Sequence, residues 1–267
     1  MIPQNPRILL CNDDGIDAPG MAVLERIAAT LSDDVWIAAP AQEQSAASRA
    51  LSIREPLRVT RRGTRRFAVH GTPTDSVMMG VLELVEGKRP ELVLSGVNQG
   101  QNLAEHITLS GTIAAAIQGM EMGIASVALS QSYPFTENAA IHWDTAEHYA
   151  PAVLQRLFER KWPPNVLMNV NFPDCAPDAV EAVRLTRMGR RDQDLLCVHE
   201  RTDPGGRPYY WLGFNGRLST PPHGTDLHAI YGHCVSVTPL HLDLTHEASL
   251  SRLAGAMEGI VAAERRR

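Results

Sequence analysis

Lysine is almost missing from this chain. Lys88 and Lys161 are the two lysines, and arginine supplies the rest of the 25 basic residues. Mechanisms that need a particular lysine therefore have almost no candidates. The chain also lacks a Gly-x-x-x-x-Gly-Lys-Ser/Thr phosphate loop, a Gly-x-Gly-x-x-Gly after its first apolar run and a Gly-x-Ser-x-Gly elbow. These absences argue against the corresponding nucleotide-binding loops and against a serine hydrolase.

Cysteines and long apolar runs are also scarce. No Cys-x-x-Cys pair occurs, which argues against a zinc knuckle or a disulfide framework. No apolar run approaches the roughly 20 residues of a membrane span, and the N-terminus lacks the features of a signal peptide. We therefore expect a soluble, cytoplasmic protein with no membrane contact and with thiols in a reducing compartment. The cysteines are Cys11, Cys175, Cys197 and Cys234.

Composition and charge are those of a globular protein. The 267 residues are 44% hydrophobic and 21% charged, which suits one large domain or one domain with an appendage. The formal net charge is −5 at pH 7, and no basic block resembles a nucleic-acid-binding arm. Long nucleic acid is therefore not an expected partner.

Short apolar runs alternate with helix-length amphipathic segments between residues 7 and 131. This alternation predicts an α/β fold with a mainly parallel sheet that is covered on both faces. The predicted strands are 7–11, 35–39, 67–70, 91–94 and 125–130, and the predicted helices are 20–31, 75–85 and 113–122.

The pattern changes near residue 181. A helix at 139–160 and a strand at 165–170 complete a predicted core of residues 1–180, after which the helix alternation stops. We expect the remainder, 181–267, to be a hairpin, a returning strand and a C-terminal helix that serve oligomerisation and do not form an independent domain. The later strands are predicted at 183–187, 195–199, 209–214 and 234–238, with the helix starting near Glu247.

Two adjacent carboxylates, Asp13 and Asp14, follow the first predicted strand, where ligands bind in open parallel sheets. Neighbouring like charges raise a carboxyl pKa unless a cation or hydrogen bonds compensate. Carboxylates joined by hydroxyl and amide oxygens suit Mg²⁺, Mn²⁺ or Ca²⁺. The alternative is that this Asn-Asp-Asp-Gly segment is only a solvated turn.

Two further loops carry polar side chains. In Ser95-Gly96-Val97-Asn98-Gln99-Gly100, the glycines permit a close approach to a ligand, although an ordinary turn explains them too. Ser110, Gly111 and Thr112 open a small-residue helix whose free N–H groups and hydroxyls can bind a phosphate. Read alone, the same triplet is a simple N-cap.

The motifs taken together resemble the SurE family of stationary-phase survival proteins, which are metal-dependent nucleotidases. The resemblance extends through Asn169-Val170-Asn171-Phe172-Pro173 and Val235-Ser236-Val237-Thr238-Pro239, and so covers nearly the whole chain. It rests on Asn12-Asp13-Asp14-Gly15, Ala39-Pro40 followed by Ser45, Gly71-Thr72-Pro73-Thr74-Asp75, Ser95-Gly96-Val97-Asn98 with Asn102, and Ser110-Gly111-Thr112.

The resemblance implies a Rossmann-like fold, a homodimer or homotetramer, and one divalent cation per subunit, Mg²⁺ or Mn²⁺. The implied metal ligands are Asp13, Asp14, Ser45 and Asn98. The chain departs from the family pattern around these ligands, where Gln44 and Ala46 replace the usual arginine and glycine. It departs also at His106, which replaces a common aspartate, and at Leu109, which replaces a tyrosine or histidine.

The implied activity is hydrolysis of nucleoside 5′-monophosphates, and also of 3′-monophosphates, to nucleoside and phosphate. In our hypothesis Asp13 or Asp14 accepts a proton from the attacking water. The phosphate oxygens are bound by Asn12, Asn102, Ser110, Gly111 and Thr112. Two alternatives keep the same site: a phosphatase for another phosphorylated metabolite or short polyphosphate, and a non-catalytic nucleotide-binding regulator.

Overall fold

A nine-stranded sheet forms the centre of the protein in the computed structural model, which describes residues 3–134, 140–160, 162–192, 196–214 and 218–257. The hairpin forms a separate two-stranded sheet. The strands are β1 (Ile8–Cys11), β2 (Val35–Pro40), β3 (Arg58–Gly63), β4 (Arg66–His70), β5 (Leu92–Gln99), β6 (Ala125–Gln131), β7 (Leu167–Phe172), β8 (Ala182–Leu185), β9 (Leu196–Thr202), β10 (Pro208–Phe214) and β11 (Cys234–Leu240).

The strand order is β3-β4-β2-β1-β5-β6-β7-β11-β8. The six strands from β4 to β7 in this order run parallel, which confirms the predicted mainly parallel sheet. β3 pairs antiparallel with β4, and β11 pairs antiparallel with β7. Arg61 of β3 and Arg66 of β4 therefore lie at this edge of the sheet.

Helices cover both faces of the sheet, as the alternating pattern predicts. The helices are α1 (Pro19–Ala29), α2 (Pro73–Met79), α3 (Gly111–Glu121), α4 (Trp143–Phe158), α5 (Asp226–Tyr231) and α6 (Glu247–Met257). Ile8 and Leu10 of β1 point into the core that contains α1 and α4, and Leu9 and Cys11 point into the core that contains α2 and α3.

The structure changes the expectations for two helices, α2 and α5. Helix α2 begins earlier than predicted because Thr72 and Asp75 form a capping box and Pro73 starts the first turn. It continues as a π-helical turn, Gly80–Leu84. The expectation that helices stop between residue 181 and the C-terminal helix is wrong, since α5 lies there. The predicted starts at residues 139 and 195 lie outside the described residues.

Strand β5 is twice as long as predicted, and the added residues include Asn98 of the candidate site. The sequence predicts a loop from Ser95 to Gln99, but these residues continue β5, with an irregular register between Ser95 and Asn98. Helix α1 packs directly on this strand end. A Cβ at Gly20 would lie 1.9 Å from the Val97 carbonyl oxygen, so a glycine is required for this approach.

The C-terminal part contributes to both sheets. Strands β8 and β11 extend the nine-stranded sheet, whereas β9 and β10 form the predicted hairpin. Tyr210, Trp211 and Leu212 of this hairpin are exposed. In the described part of the chain, no helix has the length and apolarity needed to cross a membrane. The boundary at residue 180 stays a prediction.

Candidate active site

Asp13 lies buried at the carboxyl end of β1. Its Oδ1 accepts a hydrogen bond from the Thr112 hydroxyl at 2.5 Å. Burial raises the pKa of the Asp13 carboxyl, while the Thr112 hydroxyl and the backbone N–H groups of Gly111 and Thr112 act in the opposite direction. Helix α3 therefore directs its N-terminus at this carboxylate.

Gly111 is the residue that allows this contact. A Cβ at position 111 would lie 2.7 Å from the Asp13 Cβ and 2.9 Å from its Oδ2. Ser110 caps the helix, since its Oγ accepts the Ile113 N–H at 3.1 Å. Ser110 is thus an N-cap, and the triplet lies directly beside Asp13, while phosphate binding by Ser110, Gly111 and Thr112 stays a prediction.

Asp14 is half-buried next to Asp13. Its Oδ2 accepts the Gln99 N–H at 3.1 Å, which joins the end of β1 to the end of β5. Burial and the charge of Asp13 raise the pKa of Asp14 to about 7, with a smaller contribution from Glu43. The two carboxylates together therefore favour a proton or a cation.

Asn98 and Ser45 occupy the two segments beside the aspartates. Asn98 is half-buried, and its Nδ2 donates to the Gly100 carbonyl at 2.6 Å. Ser45 is exposed, and its hydroxyl donates to Glu43 Oε1 at 2.8 Å. Among the residues that the structure describes, Ser45 makes no hydrogen bond to either aspartate.

The segment that carries Ser45 is nevertheless attached to the aspartates. The Gln44 N–H donates to the Asp13 carbonyl at 2.7 Å. The next residue but one, Ala46, has a φ of 60°, a left-handed conformation that favours glycine. A glycine at position 46 would adopt this conformation with less strain.

Asn12 contains an acceptor without a partner. Its side chain is fully buried, and its Nδ2 donates to the Gly15 carbonyl at 2.7 Å. Its Oδ1 has no hydrogen-bond partner within the described ranges. A buried acceptor without a donor is costly, so this oxygen is suited to a bound ligand or to a water molecule.

Asn102 lies beside the ends of β6 and β7, where its contacts are Ser130 and Asn171. Its Nδ2 donates to the Ser130 hydroxyl at 2.9 Å, and its backbone N–H donates to Asn171 Oδ1 at 2.8 Å. The Asn102 carbonyl accepts from Asn169 and Asn171. Asn169 and Asn171 are not among the predicted site residues, although alternating asparagines in an otherwise apolar strand are a signal that the sequence contains.

The donor set fits a hard divalent cation. The described part of the chain contains no group of three or more His, Cys, Asp or Glu side chains that could hold a metal ion. A cation at this place would therefore need amide or hydroxyl oxygens besides Asp13 and Asp14. Mg²⁺ and Mn²⁺ accept such ligands, and the unpartnered Asn12 Oδ1 supplies one more oxygen nearby in the chain.

Known proteins share both the sequence and the fold. The family model described as "Survival protein SurE" matches residues 8–194. The chain is 58% identical over 254 residues to the 5′-nucleotidase SurE of Caulobacter vibrioides, covering 95% of this chain and 97% of the relative. It is 51% identical over 261 residues to the 5′-nucleotidase SurE of Parvibaculum lavamentivorans, covering 98% of this chain and 94% of the relative.

The crystal structure of the SurE protein from Aquifex aeolicus has the same fold. It superposes with a TM-score of 0.79 at 34% identity, covering 97% of this chain and all of that one. The resemblance seen in the motifs is thereby confirmed over almost the whole length. This chain belongs to the SurE family.

Proposed function

We propose that this chain is a metal-dependent phosphomonoesterase that hydrolyses nucleoside 5′-monophosphates to nucleoside and phosphate, and 3′-monophosphates as well. The observation that carries the proposal is the pair of buried Asp13 and half-buried Asp14 at the carboxyl end of β1, beside the N-terminus of α3. The names of the relatives from Caulobacter and Parvibaculum support the 5′-activity.

In this proposal one Mg²⁺ or Mn²⁺ ion per subunit is held by Asp13, Asp14, Ser45 and Asn98. Such an ion neutralises charge on the phosphate and lowers the pKa of a bound water. The two aspartates are supported by their position and charge, and Asn98 by its place on β5 beside them. Ser45 is included as a metal ligand because of the family resemblance. The hydrogen bond from the Gln44 N–H to the Asp13 carbonyl holds the segment of Ser45 at the site.

The protein's own groups position the reactants. Thr112 holds the Asp13 carboxylate in one orientation, and Gln99 does the same for Asp14. We propose that Asp13 or Asp14 accepts a proton from the attacking water. Asn12, Asn102 and the residues Ser110 to Thr112 bind the phosphate oxygens in this account.

A substrate panel tests the proposal. Purified protein is incubated with Mn²⁺ or Mg²⁺ and with 5′-AMP, 5′-GMP, 3′-AMP, a sugar phosphate or tripolyphosphate, and free phosphate is measured. We expect release from the nucleoside monophosphates that EDTA stops. Preferential release from the sugar phosphate or tripolyphosphate would favour the other phosphatase, and binding of AMP without release would favour the regulator.

We also propose a homodimer or homotetramer. The hairpin β9–β10 presents Tyr210, Trp211 and Leu212 to solvent, with Trp211 63% and Leu212 81% exposed. Large apolar side chains grouped in this way mark an interaction surface. Light scattering at working concentration tests the proposal, and a monomer would contradict it.

A further inference from the structure

One buried carboxylate outside the aspartate pair connects three segments of the chain. Asp226 is the first residue of α5 and is fully buried. Its Oδ1 accepts the N–H groups of Gly189 and Leu227, both at 2.8 Å. Its Oδ2 accepts the N–H group of Ala104, also at 2.8 Å. Bonds of this kind to a carboxylate are stronger than those between neutral groups.

The hydrogen bond from Ala104 to Asp226 connects this carboxylate to the segment that carries Asn102. Ala104 lies two residues after Asn102, and its φ of 53° places it in the left-handed region. A non-glycine residue keeps this conformation only when its surroundings hold it. The hydrogen bond from Ala104 to Asp226 is such a restraint, and it acts on the backbone immediately after Asn102.

Other contacts fix the same turn from the C-terminal side. Leu103 is fully buried against Leu227 and Ile230 of α5. The Arg191 guanidinium donates to the Leu103 carbonyl at 3.2 Å. The turn after Asn102 is therefore held by residues from the 181–267 part, whereas Asn102 itself is held by Asn171 of β7.

We propose that Asp226 is a positioning residue for substrate phosphate. By fixing the Ala104 N–H, it holds the turn that sets the direction of Asn102. This inference rests on the proposed function, because it assumes that Asn102 binds the phosphate. Asp226 itself touches neither the aspartate pair nor the substrate in this account, and it acts through the backbone of residues 102–104.

The direct test is Asp226→Asn. An asparagine has the same shape, but its amide nitrogen cannot accept a hydrogen bond, so the contacts with Gly189, Leu227 and Ala104 cannot all be kept. We expect the KM for AMP to rise by about tenfold while kcat falls by less than about threefold, since a misplaced binding group weakens ground-state contacts. Hydrogen exchange should also become faster in the segment 102–105.

Gly189→Ala provides an independent second variant. Its new Cβ would lie 2.8 Å from Asp226 Oδ1 and displace that carboxylate without removing it. The same increase in KM and the same faster exchange are expected. If Asp226→Asn fails to fold, this variant still decides the question.

Thr225→Ala is the matched control. Thr225 caps α5 through the His228 N–H and donates to the Pro222 carbonyl, so its loss destabilises the same helix end without touching Ala104. We expect a lower Tm with unchanged KM. Wild-type KM in both Asp226→Asn and Gly189→Ala, or an equal rise in KM for Thr225→Ala, would overturn the inference. Failure of the wild type to hydrolyse AMP would instead overturn the proposed function.

Discussion

Replacing Asp14 by asparagine should stabilise the protein when no metal is bound. The pKa of Asp14 is raised from 3.8 to about 7 because the carboxyl is buried beside Asp13. An asparagine removes the charge and keeps an oxygen that can accept the Gln99 N–H. The variant therefore removes the cost of the charge and leaves the local hydrogen bond in place.

The magnitude follows from the size of the pKa shift. Each pKa unit corresponds to about 1.4 kcal/mol, so an ionised Asp14 costs on the order of 2–4 kcal/mol once partial solvent contact is allowed for. Below pH 3.8 both states carry the proton, and the cost is absent. Between pH 3.8 and about 7 only the unfolded state loses the proton, so the stability of the wild type falls as pH rises.

Urea unfolding in EDTA at about pH 4, 6 and 8 measures this effect. The gain of Asp14→Asn should be near zero at the lowest pH and largest at the highest. Saturating Mn²⁺ should then stabilise the wild type by about 2–3 kcal/mol at a hundredfold excess over Kd, and the variant far less. A variant no more stable than wild type at pH 8, or a gain that is independent of pH, would refute the reasoning.

Three further variants probe other parts of the account. Thr112→Val removes the hydroxyl that orients Asp13, so kcat for AMP should fall by about tenfold or more. Thr112→Ser keeps the hydroxyl and should retain activity. Equal rates for the two variants would contradict the role of Thr112 in orienting Asp13. Gly20→Ala brings a Cβ to 1.9 Å from the Val97 carbonyl oxygen, and urea unfolding should show a loss of about 2 kcal/mol or more. Trp211→Ser should weaken the assembly in light scattering with folding intact by circular dichroism, and an unchanged mass would exclude Trp211 from the interface.

The position of the aspartate pair was predictable because the signals are local. An all-apolar run followed by Asn-Asp-Asp-Gly marks a buried strand with polar side chains directly after its end. The alternation of strands and helices likewise predicts the parallel sheet and its two helical faces. These features depend on neighbouring residues and can be read directly from the chain.

Other features depend on distant residues and could not be predicted. Gly96 and Gly100 indicate a loop, but pairing of Asn98 with Ser130 of β6 extends the strand past Gly96, and it ends just before Gly100. Helix α5 has six residues, which is too short to show a helical period. The bond between Ala104 and Asp226 joins residues 122 positions apart, and no local pattern indicates it.

Phosphate release from AMP by wild type and by Asp13→Asn, side by side in Mn²⁺, tests the central claim most directly. Asparagine keeps an acceptor for the Thr112 hydroxyl, so the variant should fold normally by circular dichroism. We predict steady release by the wild type that EDTA stops, and release by the variant at roughly a hundredth of that rate or less. Near-normal release by Asp13→Asn, or no release by the wild type, would contradict the account.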